Sequence, residues 1–249
     1  SGNPTTGSAQ SVSFDVMVNP TASQRSGAIT VRAGDETEGP TGVITIKQKA
    51  SSLTASGDKT TLAATADDSG ALTYQATKGL PLSITHPEWL TLITPKSETA
   101  TGVEQRLEYR TSNLNLNGTN NKGNISVTAG EMTANVAVEQ EASVFSITNG
   151  AATIAATGGR TTGSVTATPG LPWTISPETH NGITVSPTNG RGNAELIFTG
   201  AANTGADRTG TFTVSVTGAS PTRTVTVIAK QATDKMVTID VAIVEDYRE

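Results

Sequence analysis

The chain offers few side chains that could carry catalytic chemistry. Its 249 residues include two histidines, His86 and His180, and no cysteine. Neither histidine stands in a metal-binding or triad-like pattern. The sequence also lacks a nucleophile elbow, a phosphate loop and a dinucleotide fingerprint. It therefore predicts a protein that is not an enzyme, with no catalytic residue, no metal and no cofactor.

The acidic residues are scattered, apart from two short clusters. Asp35, Glu36 and Glu38 lie between two apolar runs, and Asp67 and Asp68 lie in a polar stretch typical of a turn. Calcium binds oxygen ligands, but the spacing here matches no calcium-binding loop. We interpret both clusters as solvated loops, with calcium binding as the alternative.

Aromatic side chains are the residues most suited to sugar binding, because the C–H faces of a sugar pack on exposed rings. The chain has nine of them (4 Phe, 3 Tyr and 2 Trp). Trp89, Trp173 and Tyr74 are the candidate ligand-binding residues, and a place at the edge of the core is the alternative for each tryptophan. Five other aromatic residues are predicted to lie in the core: Phe14, Tyr109, Phe145, Phe198 and Phe212. No aromatic stripe occurs, so the composition does not support direct glycan binding.

Composition and charge define the class of protein. Apolar residues make up 35% and aromatic residues 4% of the chain, and the apolar runs are short and rich in Val and Thr. No window shows a sustained 3.6-residue period, so we predict an all-β fold with negligible helix. The net charge is −5 and no Lys/Arg cluster occurs, which argues against nucleic acid as a partner. No apolar run approaches the roughly 20 residues that cross a bilayer, so no direct membrane span is expected.

The chain repeats itself at about the length of one β-sandwich domain. Strands that end at Gln48, Gln140 and Gln231 resemble one another, and these glutamines are 92 and 91 residues apart (140−48 and 231−140). Leu62-Ala63-Ala64-Thr65 returns as Ile154-Ala155-Ala156-Thr157, an offset of 92. Asn-Gly pairs between the strands indicate tight turns. The pattern predicts tandem immunoglobulin-like β-sandwich domains.

The repeat also sets the predicted domain boundaries. Residues 50–141 and 142–232 are two complete copies, whereas residues 1–49 match only the second half of a copy, by an offset of 183 that carries Arg25 to Arg208. Half a sandwich leaves an apolar face uncovered. Residues 233–249 form a terminal strand or tail, with an apolar face of Val237, Ile239, Val241 and Ile243. Strand exchange that involves this tail could complete residues 1–49; alternatively, the tail packs on its own domain or begins another one.

Two repeated polar residues accompany the strands. The glutamine lies in phase with the apolar face, so we interpret it as closing the end of the sandwich, with ligand binding as the alternative. Arg25 and Arg208 stand four residues before Ile29 and Phe212, and Lys122 is the looser counterpart in the middle copy. We interpret these cations as structural, with their stems along the sheet.

These residues resemble the BACON family, the Bacteroidetes-associated carbohydrate-binding, often N-terminal domains. The resemblance rests on Leu171-Pro172-Trp173-Thr174-Ile175, Ser186-Pro187, Asn203 to Gly210, and Gln231. It implies an Ig-like sandwich on an exported protein of the bacterial cell surface or outer membrane, often with a lipid anchor, which would lie outside this chain. It also implies glycan or mucin binding.

The expected function is a non-catalytic surface protein, adhesin-like or a presenting stalk of repeated modules. A glycan- or mucin-binding module of a polysaccharide-utilisation system is one alternative, and a pure spacer from a larger enzyme is another. The expected partner is accordingly a glycan or a protein of a host or other cell surface.

Overall fold

The protein is described by a computed structural model over residues 11, 13–33, 39–94, 97–148 and 151–233. These residues contain twenty β-strands and no helix, so the all-β prediction is confirmed. This part of the chain accordingly holds no helix that could span a bilayer. The acidic residues 35, 36 and 38 and the predicted terminal strand at 237–243 lie outside the described residues.

Residues 25–48 form an antiparallel hairpin. Its strands are β1 (Arg25–Arg32) and β2 (Thr41–Gln48), in a register that places Arg25 opposite Gln48 and Ile29 opposite Ile44. The hairpin is a two-stranded sheet by itself. Its apolar face is open, because no second sheet in the described part of the chain packs on it, and Ile44 is 56% exposed. We call this unit the N-terminal hairpin.

The middle sandwich consists of two four-stranded sheets. Its strands are β3 (Leu53–Lys59), β4 (Thr61–Leu62), β5 (Ser69–Ala76), β6 (Leu82–Thr85), β7 (Leu90–Leu92), β8 (Gln105–Thr111), β9 (Asn121–Ala129) and β10 (Met132–Gln140). The strand orders are β3-β5-β8-β7 and β4-β10-β9-β6. Neighbouring strands are antiparallel except β4 and β10, which are parallel.

The third sandwich repeats this plan with two five-stranded sheets. Its strands are β11 (Phe145–Thr148), β12 (Ala151–Ile154), β13 (Gly159–Ala167), β14 (Pro172–Ser176), β15 (Thr179–His180), β16 (Ile183–Ser186), β17 (Asn189–Arg191), β18 (Ala194–Gly200), β19 (Arg208–Val216) and β20 (Thr224–Gln231). The strand orders are β11-β13-β18-β16-β15 and β12-β20-β19-β14-β17. Here β12 and β20 are the parallel pair.

The cores are formed by side chains that alternate between buried and exposed along each strand. In β19 the side chains of Phe212 and Val214 are buried, whereas Thr211, the residue before Phe212, faces solvent. Phe212 packs on Phe198 with ring centroids 5.5 Å apart. Such alternation is what a two-layer sandwich requires, since each strand has one covered face.

Four of the five aromatic residues predicted for the core contribute to it. Tyr109, Phe198 and Phe212 are fully buried, and Phe145 packs partly buried against the core of the third sandwich. The prediction for Phe14 is wrong, because this ring is 52% exposed. It precedes the N-terminal hairpin, which has no opposing sheet in the described residues to cover it.

Candidate functional site

Two of the three candidate ligand-binding residues lie inside the sandwiches. Trp173 on β14 is 1% exposed, and its Nε1 donates a hydrogen bond of 2.9 Å to the carbonyl oxygen of Gly192. Gly190 lies against the ring: a Cβ there would be 2.3 Å from Trp173 Cζ2. Tyr74 on β5 is also buried. A sugar stacks only on a ring face that is open to solvent, so this placement argues against both residues as ligand contacts.

Trp89 is the candidate whose ring is partly exposed. It precedes β7 and packs with one side against the core of the middle sandwich. Its carbonyl oxygen accepts a hydrogen bond of 2.9 Å from the amide of Ser112, which holds the backbone in place. A sugar contact by Trp89 stays a prediction.

Grooves on the sandwich faces lack the lining of a usual small-molecule site. One groove of about 570 Å³ lies along β9 and β10, beside Thr60, Lys122, Asn124 and Glu139. Another, of about 520 Å³, lies on β13 and β18 and is lined by small and polar side chains. Neither is lined by an aromatic residue. Ligand pockets are usually concave and largely apolar, with a few converging polar groups.

Both histidines contact backbone groups of the protein. His180 Nδ1 accepts a hydrogen bond of 3.0 Å from the amide of Thr211, and His86 Nδ1 lies 3.0 Å from the carbonyl oxygen of Pro87. Among the described residues, no three His, Asp or Glu side chains converge to hold a metal ion.

Asp67 and Asp68 both form ion pairs. Asp67 pairs with Arg110 at 3.0 Å, and Asp68 pairs with Lys59 at 2.7 Å. Asp68 also accepts a hydrogen bond of 2.7 Å from the amide of Ala63. Partial burial by itself would raise the pKa of Asp68, but the bonds from Lys59 and Ala63 outweigh it and leave the pKa lowered. These contacts hold the turn at the end of the sheet.

The repeated glutamine closes the end of each unit, as predicted. Gln231 is buried; its Nε2 donates to the carbonyl oxygens of Ala155 (2.8 Å) and Ala201 (2.9 Å), and its Oε1 accepts from Arg208 Nε (2.7 Å). Gln48 forms the same bond with Arg25 Nε, at 2.6 Å. Every polar atom of the buried amide thus has a partner, which a buried polar group requires. We call this arrangement the glutamine knot.

The middle copy corrects the predicted counterpart of the arginines. Asn121, not Lys122, lies opposite Gln140, and its Nδ2 donates to Gln140 Oε1 at 2.9 Å. Asn121 stands four residues before Ile125, the same spacing as Arg25 to Ile29. Lys122 points to the other face, as the next residue on a strand must, and pairs with Glu139 at 3.2 Å.

A repeated asparagine links the loop before the last hairpin of each unit to the backbone that follows the hairpin. Nδ2 of Asn19, Asn115 and Asn203 donates to the carbonyl oxygen of the residue that follows the knot glutamine, at 3.0, 2.8 and 3.1 Å respectively. Each also donates to a carbonyl oxygen three or four residues farther along its own loop. This shared role aligns Asn19 with Asn203, an offset of 184, so the loop before Arg25 is one residue longer than an offset of 183 implies. The recurring Asn before each hairpin was the available sequence signal.

The loop that contains this asparagine also contacts the next unit. In the second junction, Leu114 and Leu116 pack against the core of the third sandwich. Arg223 donates from Nη1 to the carbonyl oxygen of Leu116 (3.0 Å) and to Ser143 Oγ (2.5 Å), and from Nη2 to the carbonyl oxygen of Ser143 (2.9 Å). Its guanidinium carbon lies 5.7 Å from the centre of the Phe145 ring.

The first junction uses the same loop position with a different donor. Pro20, like Leu116, is the residue after the repeated asparagine, and its carbonyl oxygen accepts a hydrogen bond of 2.9 Å from the amide of Glu131. Val18 packs against Leu80 and its neighbours at the end of the middle sandwich. Gly130 has φ +61°, and a Cβ there would be 2.7 Å from the Pro20 oxygen, so the close approach requires glycine.

Arg223 is the most distinctive residue of the second junction. Its hydrogen-bond acceptors there are all neutral, and burial lowers the pKa of its guanidinium. An arginine side chain remains charged at any ordinary pH despite such a shift. The sequence does not identify Arg223 as a junction residue, because no counterpart recurs at this position in the other units.

Fold and contacts together define a tandem β-sandwich protein whose units are joined by side-chain packing and hydrogen bonds. Residues 1–49 and 173–239 match the BACON family, described as "Putative binding domain, N-terminal". The resemblance deduced from the sequence is confirmed over these residues. A search of curated proteins finds no significant match to the chain.

Solved structures with similar parts include two polysaccharide hydrolases and a nematode protein. A Bacteroides ovatus GH5 xyloglucanase is 26% identical over 39% of this chain and 20% of its own, with a TM-score of 0.32. The endo-fucoidan hydrolase MfFcnA4 is 13% identical over 86% of this chain and 34% of its own (TM-score 0.28). WR4, a C. elegans MSP family member, is 13% identical over 36% of this chain and 96% of its own (TM-score 0.28). The alignments thus cover a fifth to a third of the two hydrolases.

Proposed function

We propose that the chain is a non-catalytic stalk segment of an exported bacterial surface protein, adhesin-like or presenting a binding part away from the cell. The observation that carries this proposal is the repeated junction. Both junctions insert the residues around the repeated asparagine into the end of the next unit, and both bind the carbonyl oxygen of the residue after it. A joint that is both packed and hydrogen-bonded limits bending, which a spacer needs in order to hold its end at a distance.

The experiment compares domain orientation in the full chain and in Arg223→Ala. Residual dipolar couplings give one alignment tensor for each of the two sandwiches. We expect the two tensors to agree in the native chain. They should diverge in Arg223→Ala, because Leu116 loses its hydrogen bond across the joint and Ser143, at the start of the third copy, loses two.

Arg191→Ala is the matched control, since Arg191 is exposed and makes one long bond of 3.4 Å within the third sandwich. It should leave the tensors in agreement. Tensors that already differ in the native chain would show a flexible joint and would refute the stalk proposal. Small-angle scattering provides a second reading, with a broader distance distribution expected only for Arg223→Ala.

Glycan binding is the second candidate, favoured by the family description as a binding domain and by the partly exposed ring of Trp89. A glycan array of mucin and plant oligosaccharides on the full chain tests it. Specific hits that disappear in Trp89→Ala, but persist in the nearby control Thr91→Ala, would support it. An array without hits would favour the stalk. A pure spacer from a larger enzyme is then distinguished from an adhesin by binding to host cells.

A further inference from the structure

An early strand and the last strand of each sandwich lie side by side and run in the same direction. In the middle sandwich, β4 pairs with β10 over two residue pairs that end with Leu62 opposite Gln140. In the third sandwich, β12 pairs with β20 over four residue pairs that end with Ile154 opposite Gln231. Each parallel pair therefore bonds the beginning of a sandwich directly to its end.

The chain enters and leaves the middle sandwich at opposite ends. At the entry, the amide of Ser51 donates a hydrogen bond of 3.0 Å to the carbonyl oxygen of Thr21, and the amide of Glu131 donates one of 2.9 Å to that of Pro20. The entering chain thus lies at the same end as the turn between β9 and β10. Strand β10 runs away from this turn and ends at Gln140, where the chain leaves.

The third sandwich has the same arrangement. Arg223 stands just before β20 and donates hydrogen bonds to Ser143, where the chain enters, whereas β20 ends at Gln231. In both sandwiches a pull along the chain therefore draws the two strands of the parallel pair in opposite directions along their length. The bonds of the pair then bear the load together, whereas strands pulled apart from one end lose their bonds one after another.

Backbone bonds and burial both resist sliding of β4 along β10. The amide of Glu139 donates to the carbonyl oxygen of Thr60, and the amide of Glu141 donates to that of Leu62, each at 2.8 Å. The Leu62 side chain is fully buried, so sliding would also draw it out of the core. Strand β3, which comes just before β4, pairs with β5 in the opposite sheet. The entering segment is thus bonded to both layers of the sandwich.

The knot glutamine adds a side-chain bond across each parallel pair. Nε2 of Gln140 donates to the carbonyl oxygen of Ala64 at 3.1 Å, and Nε2 of Gln231 donates to that of Ala155 at 2.8 Å. Both acceptors lie just after the early strand of the pair. The glutamine therefore extends the bonded contact beyond the end of the backbone ladder.

We propose that each parallel pair is a mechanical clamp, by which the sandwich bears a pulling force applied along the chain. The clamp assigns the chain a load-bearing function, which goes beyond holding a binding part at a distance. Resistance to bending depends on the joints between units, whereas resistance to tension depends on the strand pairing within each unit. The clamp and the stalk can therefore fail separately.

Single-molecule pulling of the full chain in two geometries tests the clamp of the middle sandwich. The chain has no cysteine, so two introduced thiols define where the force acts. Ser52→Cys with Ala142→Cys pulls β4 and β10 along their length, and Ala66→Cys with Ala142→Cys pulls them apart from one end. We expect the second geometry to unfold the sandwich at roughly half the force of the first or less, because its bonds break in succession. Equal forces in the two geometries would overturn the proposal.

A single bond of the clamp can be removed in the lengthwise geometry. Glu141→Pro removes the amide that donates to Leu62, directly after the end of β10. The rate of unfolding under constant load should rise by about two- to tenfold, as the loss of one hydrogen bond implies.

Ile93→Pro is the matched control. It removes a bond of the same length, from the Ile93 amide to the carbonyl oxygen of Glu108, directly after the edge strand β7 and outside the parallel pair. It should leave the rate under load nearly unchanged. An equal acceleration by both substitutions would mean that general stability, and not the clamp, sets the resistance. Should Glu141→Pro fail to fold, the comparison of the two pulling geometries still decides the proposal.

Discussion

The N-terminal hairpin and the β19–β20 hairpin of the third sandwich have the same knot but different surroundings. Arg25 with Gln48 and Arg208 with Gln231 form equivalent bonds of 2.6 and 2.7 Å. Gln231 is 1% exposed, whereas Gln48 keeps part of its surface in solvent. The knot is therefore a local feature of the hairpin and its preceding loop, and the opposing sheet supplies the burial. Substitutions at matched positions can separate these two contributions.

The largest difference is expected for the central apolar residue of each hairpin. Phe212 and Ile29 both stand four residues after the knot arginine, but Phe212 is fully buried and Ile29 lies on the open face. Phe212→Ala should lower the free energy of unfolding of the third sandwich by about 3–5 kcal/mol. Urea unfolding followed by Trp173 fluorescence measures it.

Ile29→Ala serves as the comparison for Phe212→Ala. It leaves no cavity, so amide exchange of β1 and β2 should change by less than about 1 kcal/mol in protection. A loss as large as that of Phe212→Ala would mean that the open face is covered in solution.

Replacing the knot glutamine should likewise destabilise the third sandwich more than the N-terminal hairpin. Gln231→Leu removes the acceptor of Arg208 Nε and the donor to the carbonyl oxygen of Ala155, whereas the Ala201 oxygen keeps its bond from Arg208 Nη2. Loss of these bonds at the buried Gln231 should cost about 1–3 kcal/mol. Gln48→Leu should cost well under 1 kcal/mol, since water can replace the lost bonds. The same unfolding and exchange measurements apply. Equal effects would contradict the role of burial.

High pH should destabilise the middle sandwich more than the third sandwich. Burial, together with the charge of Asp58, raises the pKa of Tyr109 to about 12. Tyr109 also donates a hydrogen bond of 2.7 Å to the carbonyl oxygen of Lys59. An unfolded tyrosine has a pKa near 10, so the folded state holds the proton more tightly. The resulting stability is complete below about pH 10 and is lost as the pH rises toward 12.

The measurement is urea unfolding of the middle sandwich between pH 9 and 12, followed by Trp89 fluorescence. The pH dependence should shrink in Tyr109→Phe, and burial of Tyr74 adds a residual dependence of the same sign. The third sandwich has no tyrosine, so its midpoint serves as the internal control. A steeper fall in Tyr109→Phe would refute this assignment.

The smallest effects test which residue replaces the knot arginine in the middle copy. Asn121→Ala removes a bond to the buried Gln140 and should cost about 1 kcal/mol. Lys122→Ala removes an exposed ion pair with Glu139 and should cost less stability than Asn121→Ala. The reverse order in thermal or urea unfolding would restore Lys122 as the counterpart.

The predicted features that the structure confirms are those with a local periodic origin. The strand alternation around Phe212 and the in-phase position of Gln231 follow from the two-residue period of a strand, which any sequence window reveals. The prediction for Lys122 is wrong because a shift by one residue along a strand changes the face, and Asn121 has the four-residue spacing of Arg25 and Arg208. Trp173 and Tyr74 could not be placed from sequence, because whether a ring is a platform or a core residue depends on what packs over it.

The sequence by itself determined the all-β class, the repeat of 91–92 residues and the BACON resemblance, since each depends on residue order and period alone. Only the tertiary structure decided how the units are joined, because Arg223, Leu116 and Ser143 are up to 107 residues apart in the chain and meet by packing.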